Sequence, residues 1–150
     1  NNQMPVEPAT LDDLPQLVEL LGHLFAQEDD FHPNAALQTE GIQRIVNDPK
    51  IGRILVYRDN GQAVGLVNLL FTVSTALGAT VAILDDIVVH PGHRDKGIGS
   101  QLFSAAIALC KSEGCARIHL HTDHDNHGAQ RLYERHGFKR SSMLSMRLHL

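Results

Sequence analysis

Two neighbouring carboxylates, Asp85 and Asp86, stand in an otherwise apolar run from Leu84 to Val89. Burying an idle acid in such a run is costly, so the pair either moves protons or caps neighbouring backbone groups. Shortly after comes Arg94-Asp95-Lys96-Gly97-Ile98-Gly99-Ser100, a polar, glycine-bearing loop that opens into a helical repeat at Ile98, Leu102, Ala105, Ala106 and Leu109. A strand feeding such a loop and then a helix aims bare backbone N–H groups at an anion, on the positive end of the helix dipole. The pattern is Arg94-x-x-Gly97-x-Gly99. It is not a P-loop, which needs Gly-x-x-x-x-Gly-Lys-Ser/Thr. Nor is it a dinucleotide turn: Leu102 occupies the place of the third glycine, and His119 lies where the ribose-binding acid belongs, ~20 residues on. Further along, Asn126 heads a short polar helix carrying Tyr133. Its phenol is either a half-buried aromatic contact or a proton donor.

The elements that must hold these groups follow from periodicity. Met4–Ala9 is a short edge strand, the one place where Pro5 and Pro8 are tolerated. A helix capped near Thr10 runs to about Gln27, and a second covers Asn34–Asp48. Strands are expected over Gly52–Arg58 and Gln62–Ser74, joined by the hairpin turn Asp59-Asn60-Gly61, and over Thr80–Val89. The helix from Ile98 ends at Gly114, Arg117–Thr122 is a strand, Asn126–Arg135 is a helix closed by Gly137, and Phe138–Leu150 supplies one or two last strands. The order is β-α-α-β-β-β-α-β-α-β, a mixed α/β sheet in one domain covering residues 1–150.

Composition narrows the function classes. The chain is 43% apolar and 20% charged, ordinary for a water-soluble globular domain. Its net charge of −4 argues against nucleic acid as partner. No run approaches the ~20 apolar residues of a membrane span, and Asn1–Pro8 does not read as a secretory leader. Cys110 and Cys115 form no disulfide framework, which fits a reducing, cytoplasmic setting. The acidic run Glu28-Asp29-Asp30 is either a solvated loop or an electrostatic lip for an amine. Of ten histidines, His119, His121, His124 and His127 gather near Asp123 and Asp125. A metal site is conceivable there, but no functional metal is expected.

Asn126-x-x-Ala129-x-x-Leu132-Tyr133-x-x-x-Gly137-Phe138, one strand beyond Arg94-x-x-Gly97-x-Gly99, resembles the paired signatures of the GNAT superfamily of N-acetyltransferases. The likeness is strong from Leu84 to Phe138 and diffuse before it. The chain departs from the usual pattern with Glu7, where an Arg is common, and Asp95, where a Gly is frequent. The resemblance implies a GNAT acyl-CoA N-acyltransferase fold with acetyl-CoA as cosubstrate. Backbone groups of Ile87, Val88 and Val89 would pair with its pantetheine arm. Arg94, with the N–H groups of Asp95, Lys96, Gly97, Ile98, Gly99 and Ser100, would hold its pyrophosphate. Asn126 would contact the pantetheine, cap its helix, or both. Leu84-Asp85-Asp86 looks like the Leu-Glu-Asp of spermidine/spermine acetyltransferases, which favours Asp85 over Asp86 as general base. Tyr133 would be the acid, and Glu28, Asp29 and Asp86 would receive a small cationic amine. Proteins resembling this family are often dimers through their late strands, and the alternation of Met146, Leu148 and Leu150 offers such an edge. Three other readings stand beside this one. They are a CoA-binding sensor without turnover, an acetyltransferase for protein N-termini or lysines, and a histidine-based metal-binding protein.

Overall fold

The computed structural model describes residues 5–26 and 34–150. Glu28, Asp29 and Asp30 lie outside the described residues, as does Met4.

Five strands form one sheet in sequential order: β1 (Val6–Pro8), β2 (Gly52–Asp59), β3 (Gln62–Ser74), β4 (Ala79–Val89) and β5 (Ile118–Leu120). The first four pair antiparallel; β5 joins β4 in parallel. Pro8 is accommodated because β1 is an edge. The β2–β3 turn has Asn60 at φ 51° and Gly61 at φ 77°. Two successive positive angles are what a tight hairpin needs, and Asn-Gly supplies them at little cost.

Alternation along the strands divides the apolar side chains between two faces. Ile54, Val56, Leu66 and Val88 pack under α1 (Leu14–Ala26) and α2 (Ala35–Asn47), with Leu17, Leu20, Leu21 and Ile42. Leu55, Val67, Leu69 and Leu84 pack on the opposite side under α3 (Ile98–Ser112), with Leu102, Phe103, Ala106 and Cys110. α4 (His127–Arg135) adds Leu132 and Tyr133 to that second cluster. The layers are helices, sheet, helices. Gly65 lets α3 close on the sheet, since a Cβ there would stand 3.0 Å from Leu102 Cδ1 and 3.2 Å from Ile98 Cγ2. Among the described residues no helix is long and apolar enough to cross a membrane.

Helix ends follow local chemistry. Asn34 caps α2 by accepting the Leu37 N–H at 3.1 Å. After α3 and α4 the chain reverses through Gly114 at φ 76° and Gly137 at φ 93°. In both, the residue after glycine donates back to a last-turn carbonyl: Cys115 to Cys110 at 2.9 Å, Phe138 to Tyr133 at 3.1 Å.

One expectation fails. Residues 138–150 form no strand, and Met143, Leu144, Met146, Leu148 and Leu150 are exposed. Alternating apolar residues supply one face of a strand but not its hydrogen-bonding neighbour. Nothing in this chain pairs with the tail, and the outer edge of β5 stays unpaired.

A buried ion pair fastens the start of the chain to the sheet. Arg58 on β2 donates to both carboxylate oxygens of Asp13 at 2.8 Å and also meets Glu7 on β1. Asp13 also accepts the Thr10 N–H at 2.8 Å. The Arg58 hydrogen bonds hold the Asp13 carboxyl below the usual range, burial opposing them. Its contribution is therefore present above about pH 4 and lost as pH falls through the lowered folded value. Arg58→Ala should cost roughly 2–3 kcal/mol, below the range for fully buried pairs because Arg58 keeps some solvent contact. Urea denaturation at pH 7 measures it, and the Asp13→Asn deficit should shrink in acid.

Candidate active site

The site is built where β4 changes neighbours. Its pairing with β5 stops at Leu84↔Leu120, so residues 85–89 of β4 have β3 on one side and no strand on the other. On the β3 side the register slips: Asn68 faces Asp86, but Leu69 faces Leu84. Asp85 is the extra residue of a β-bulge. In an unbroken strand Asp85 and Asp86 would point to opposite faces. Here both line one cavity of ≈ 330 Å³ between the sheet and α1/α2, together with Asn68, Gln38 and apolar side chains. A bulge that re-aims a side chain beside a cavity is a recurrent device of active sites.

The two acids are not equivalent. Asn68 Nδ2 donates to Asp86 Oδ2 at 2.9 Å, which holds that carboxylate in place. Asp85 reaches solvent, yet the protein packed around it desolvates the carboxyl and pushes its pKa up, with His121 pulling the other way. A carboxylate with a raised pKa is the stronger base of the two kinds.

The open edge of β4 has a defined pattern. His90 N donates to Val64 O on β3 at 2.8 Å. Alternation in an antiparallel ladder then turns the backbone groups of Val88 and Asp86 toward β3, and those of Ile87 and Val89 toward the open side. Of Ile87, Val88 and Val89, therefore, two have backbone groups available to an added chain. Val88 does not: its amide faces β3 and its side chain is buried against the α1/α2 cluster.

The loop that follows is shaped for an anion. His90 caps a short turn over Pro91–His93, its Nδ1 accepting the Gly92 N–H at 3.1 Å. Asp95 at φ 65° and Gly97 at φ 76° are left-handed, and Gly97 caps α3. The first helical bond runs from Gln101 N to Gly97 O at 3.2 Å, so the N–H groups of Ile98, Gly99 and Ser100 find no partner within the helix. The Ile98 side chain is core; its backbone is what faces the loop. Asp95 and Lys96 are exposed, and Arg94 Nε reaches Val89 O at 3.4 Å, linking the loop to the open strand edge. Ser100 contributes its backbone only, because its hydroxyl is engaged: His136 Nδ1 lies 3.0 Å from Leu132 O, which assigns the proton to Nδ1 and leaves Nε2 to accept from Ser100 Oγ at 3.1 Å. His136 also stacks on Phe103, 5.2 Å between ring centroids. This clamp between α3 and α4 has no periodic signature, and sequence reasoning missed it.

Asn126 caps α4, accepting the Ala129 N–H at 3.3 Å through Oδ1. Tyr133 packs against Phe103, with centroids 5.2 Å apart, and near Phe138. Desolvation raises its pKa, Thr122 opposing by hydrogen bonding and Asp123 adding through its charge. The phenol thus stays protonated at neutral pH. Among the described residues, the His119–His127 histidines do not converge on a metal-sized site. The three side chains that do are Glu19, His23 and His90. The Gly92 bond leaves the neutral His90 ring with its proton on Nε2, the nitrogen a metal would need bare.

Comparisons with known proteins agree with this arrangement. The family model described as "Acetyltransferase (GNAT) family" matches residues 14–138. An uncharacterized N-acetyltransferase of Bacillus subtilis, YhfO, is 32% identical over 121 residues, spanning 77% of this chain and 79% of that protein. The aminoalkylphosphonate N-acetyltransferase of Salmonella typhimurium is 28% identical over 133 residues, 89% of this chain and 83% of that one. Among solved structures, an integron cassette protein from a salt-marsh metagenome superposes with a TM-score of 0.85 at 25% identity, covering 97% of this chain and 90% of its own.

The raised pKa of Asp85 carries a stability cost. The folded state favours its protonated form, so the charged carboxylate works against folding once pH exceeds the unfolded value of about 4. Asp85→Asn should therefore raise the melting temperature at pH 7, and the gain should vanish at pH 3.5. Calorimetry at the two pH values checks both the sign and the window.

Proposed function

The chain belongs to the GNAT family of acetyltransferases, and on that premise we propose that it moves the acetyl group of acetyl-CoA to the primary amine of a small molecule by direct attack. The observation that carries the reading is the bulge: it turns Asp85 into the cavity at the point where β4 has lost its neighbour. Ile87 and Val89 would pair with the pantetheine arm through their open backbone groups. Arg94 and the free N–H groups of Ile98, Gly99 and Ser100 would hold the pyrophosphate, beside the exposed loop residues Asp95, Lys96 and Gly97. Asn126 keeps its Nδ2 for the ligand while Oδ1 caps α4.

The chain's residues divide the proton work. An alkyl ammonium, pKa ~10.4, is inert until it loses a proton. Asp85 takes that proton, directly or through a water, since Asp is shorter than Glu. The nitrogen then bonds to the thioester carbon, giving a tetrahedral intermediate whose oxygen the Val89 N–H stabilises. The carbon–sulfur bond breaks, and Tyr133 gives its proton to the departing thiolate. Two free thiols, Cys110 and Cys115, support a cytoplasmic setting, burial pushing the Cys110 pKa up to about 12. The exposed apolar tail at 143–150 and the open β5 edge support pairing of two copies.

Three variants test the assignment. Asp85→Asn should lower kcat by ~10²-fold, with part of the loss recovered near the amine's own pKa. If Asp86→Asn does this instead, the roles within the pair are reversed. Tyr133→Phe should slow single-turnover transfer by ~10²-fold yet leave acetyl-CoA affinity within a few-fold, one neutral hydrogen bond being worth ~1 kcal/mol. Equal single-turnover rates reduce Tyr133 to packing. At Gly99 a Cβ meets only Leu132 Cδ2, at 3.5 Å, and Val89 Cγ2, at 4.0 Å. Gly99→Asp should therefore fold, while setting a carboxylate against the pyrophosphate. The thermal shift produced by acetyl-CoA should disappear; an unchanged shift sinks the loop assignment.

A further inference from the structure

The cavity beneath α1 and α2 is polar at one end only. Asp85, Asp86 and Asn68 come from the bulge and its partner strand, whereas Leu37 and Ile42 on α2 and Leu66 on β3 line it with hydrocarbon. Two buried polar atoms in its lining have no hydrogen-bond partner: Asn68 Oδ1 and Gln38 Nε2. Their residues are 6% and 9% exposed. The Asn68 amide is oriented by its own network, since Nδ2 donates to Asp86, and the unpaired atom is thereby an acceptor. Buried polar atoms without partners are rare in native proteins and call for an explanation. A bound ligand supplies one. Asn68 Oδ1, beside the two carboxylates, suits an N–H of an amine; Gln38 Nε2 suits a neutral oxygen.

We propose that the acceptor is a primary monoamine with an apolar alkyl or aryl skeleton carrying one neutral oxygen acceptor, and not a diamine or polyamine. The inference rests on the acetyl-transfer reading and deepens it. A single ammonium is received at the acidic end. A second one, a chain's length away, would sit against Leu37 and Ile42 with no partner in the described lining, and stripping water from an unpaired cation is expensive. A cavity of ≈ 330 Å³ lies at the small end of ligand sites.

The test is CoA release by the full chain with acetyl-CoA and paired amines at one pH. Hexylamine should exceed 1,6-diaminohexane in kcat/KM by at least about tenfold, even though the diamine offers two reactive ends. Equal or better use of the diamine overturns the proposal. For the oxygen, 2-phenoxyethylamine should exceed 3-phenylpropylamine by about fivefold, a neutral hydrogen bond's worth, and Gln38→Leu should erase that preference. No preference in the wild type removes the oxygen from the assignment. Leu37 is 70% exposed in the first turn of α2, where an acid is favoured by the helix dipole. Leu37→Glu should therefore fold, and should raise kcat/KM for the diamine while leaving hexylamine nearly unchanged. Bound acetyl-CoA with no release for any amine overturns the acetyl-transfer reading and this inference with it; release that favours diamines overturns this inference alone.

Discussion

The site depends on a mismatch of length between two parallel strands. β5 spans three residues and β4 eleven, and they share a ladder only from Ala82 to Leu84. Beyond Leu84, β4 must satisfy its outward-facing amides with something other than a neighbouring strand, or leave them to solvent. Backbone groups left open in that way form a template for an extended ligand, and the same short stretch carries the bulge that redirects Asp85. The opening and the base are two results of one irregularity in the sheet.

Around that opening the two helical layers have different duties. α3 meets the loop end-on, and its cap, Gly97, takes a left-handed φ that leaves three N–H groups free. α4 is held to α3 through Ser100–His136 and the rings on Phe103, which fix Tyr133 against the sheet. On the other face, α1 and α2 make no part of the loop and instead roof the cavity that Asp85 and Asp86 line. Arg58 and Asp13 tie the entry to α1 onto the sheet.

Much of this was legible in the sequence because the signals are local. Gly114 and Gly137 stop their helices where expected, Asn60-Gly61 turns its hairpin, and Gln62–Ser74 has the bounds that alternation implies. The loop before Ile98 was readable from residue type alone. What could not be read is what depends on a partner strand. Counting in twos puts Asp85 and Asp86 on opposite faces; only the register against Asn68 and Leu69 brings them together. The same count cannot say which amides of Ile87, Val88 and Val89 face outward. It also overcalled the tail, where Met146, Leu148 and Leu150 alternate without a strand to lie against. His136 escaped notice because its role rests on a hydroxyl from another helix.

The sheet separates two hydrophobic clusters that meet only through its strands, one beneath α1 and α2, the other beneath α3 and α4. Substitutions on distant, unshared faces tend to add independently. Residues that shape the acceptor cavity from α1 and α2 can therefore drift without repacking the layer that carries the anion loop and Tyr133. An ancestor with this partition could acquire new acceptors by changing one roof while inheriting the other intact, so the division of the core is also a division of evolutionary labour.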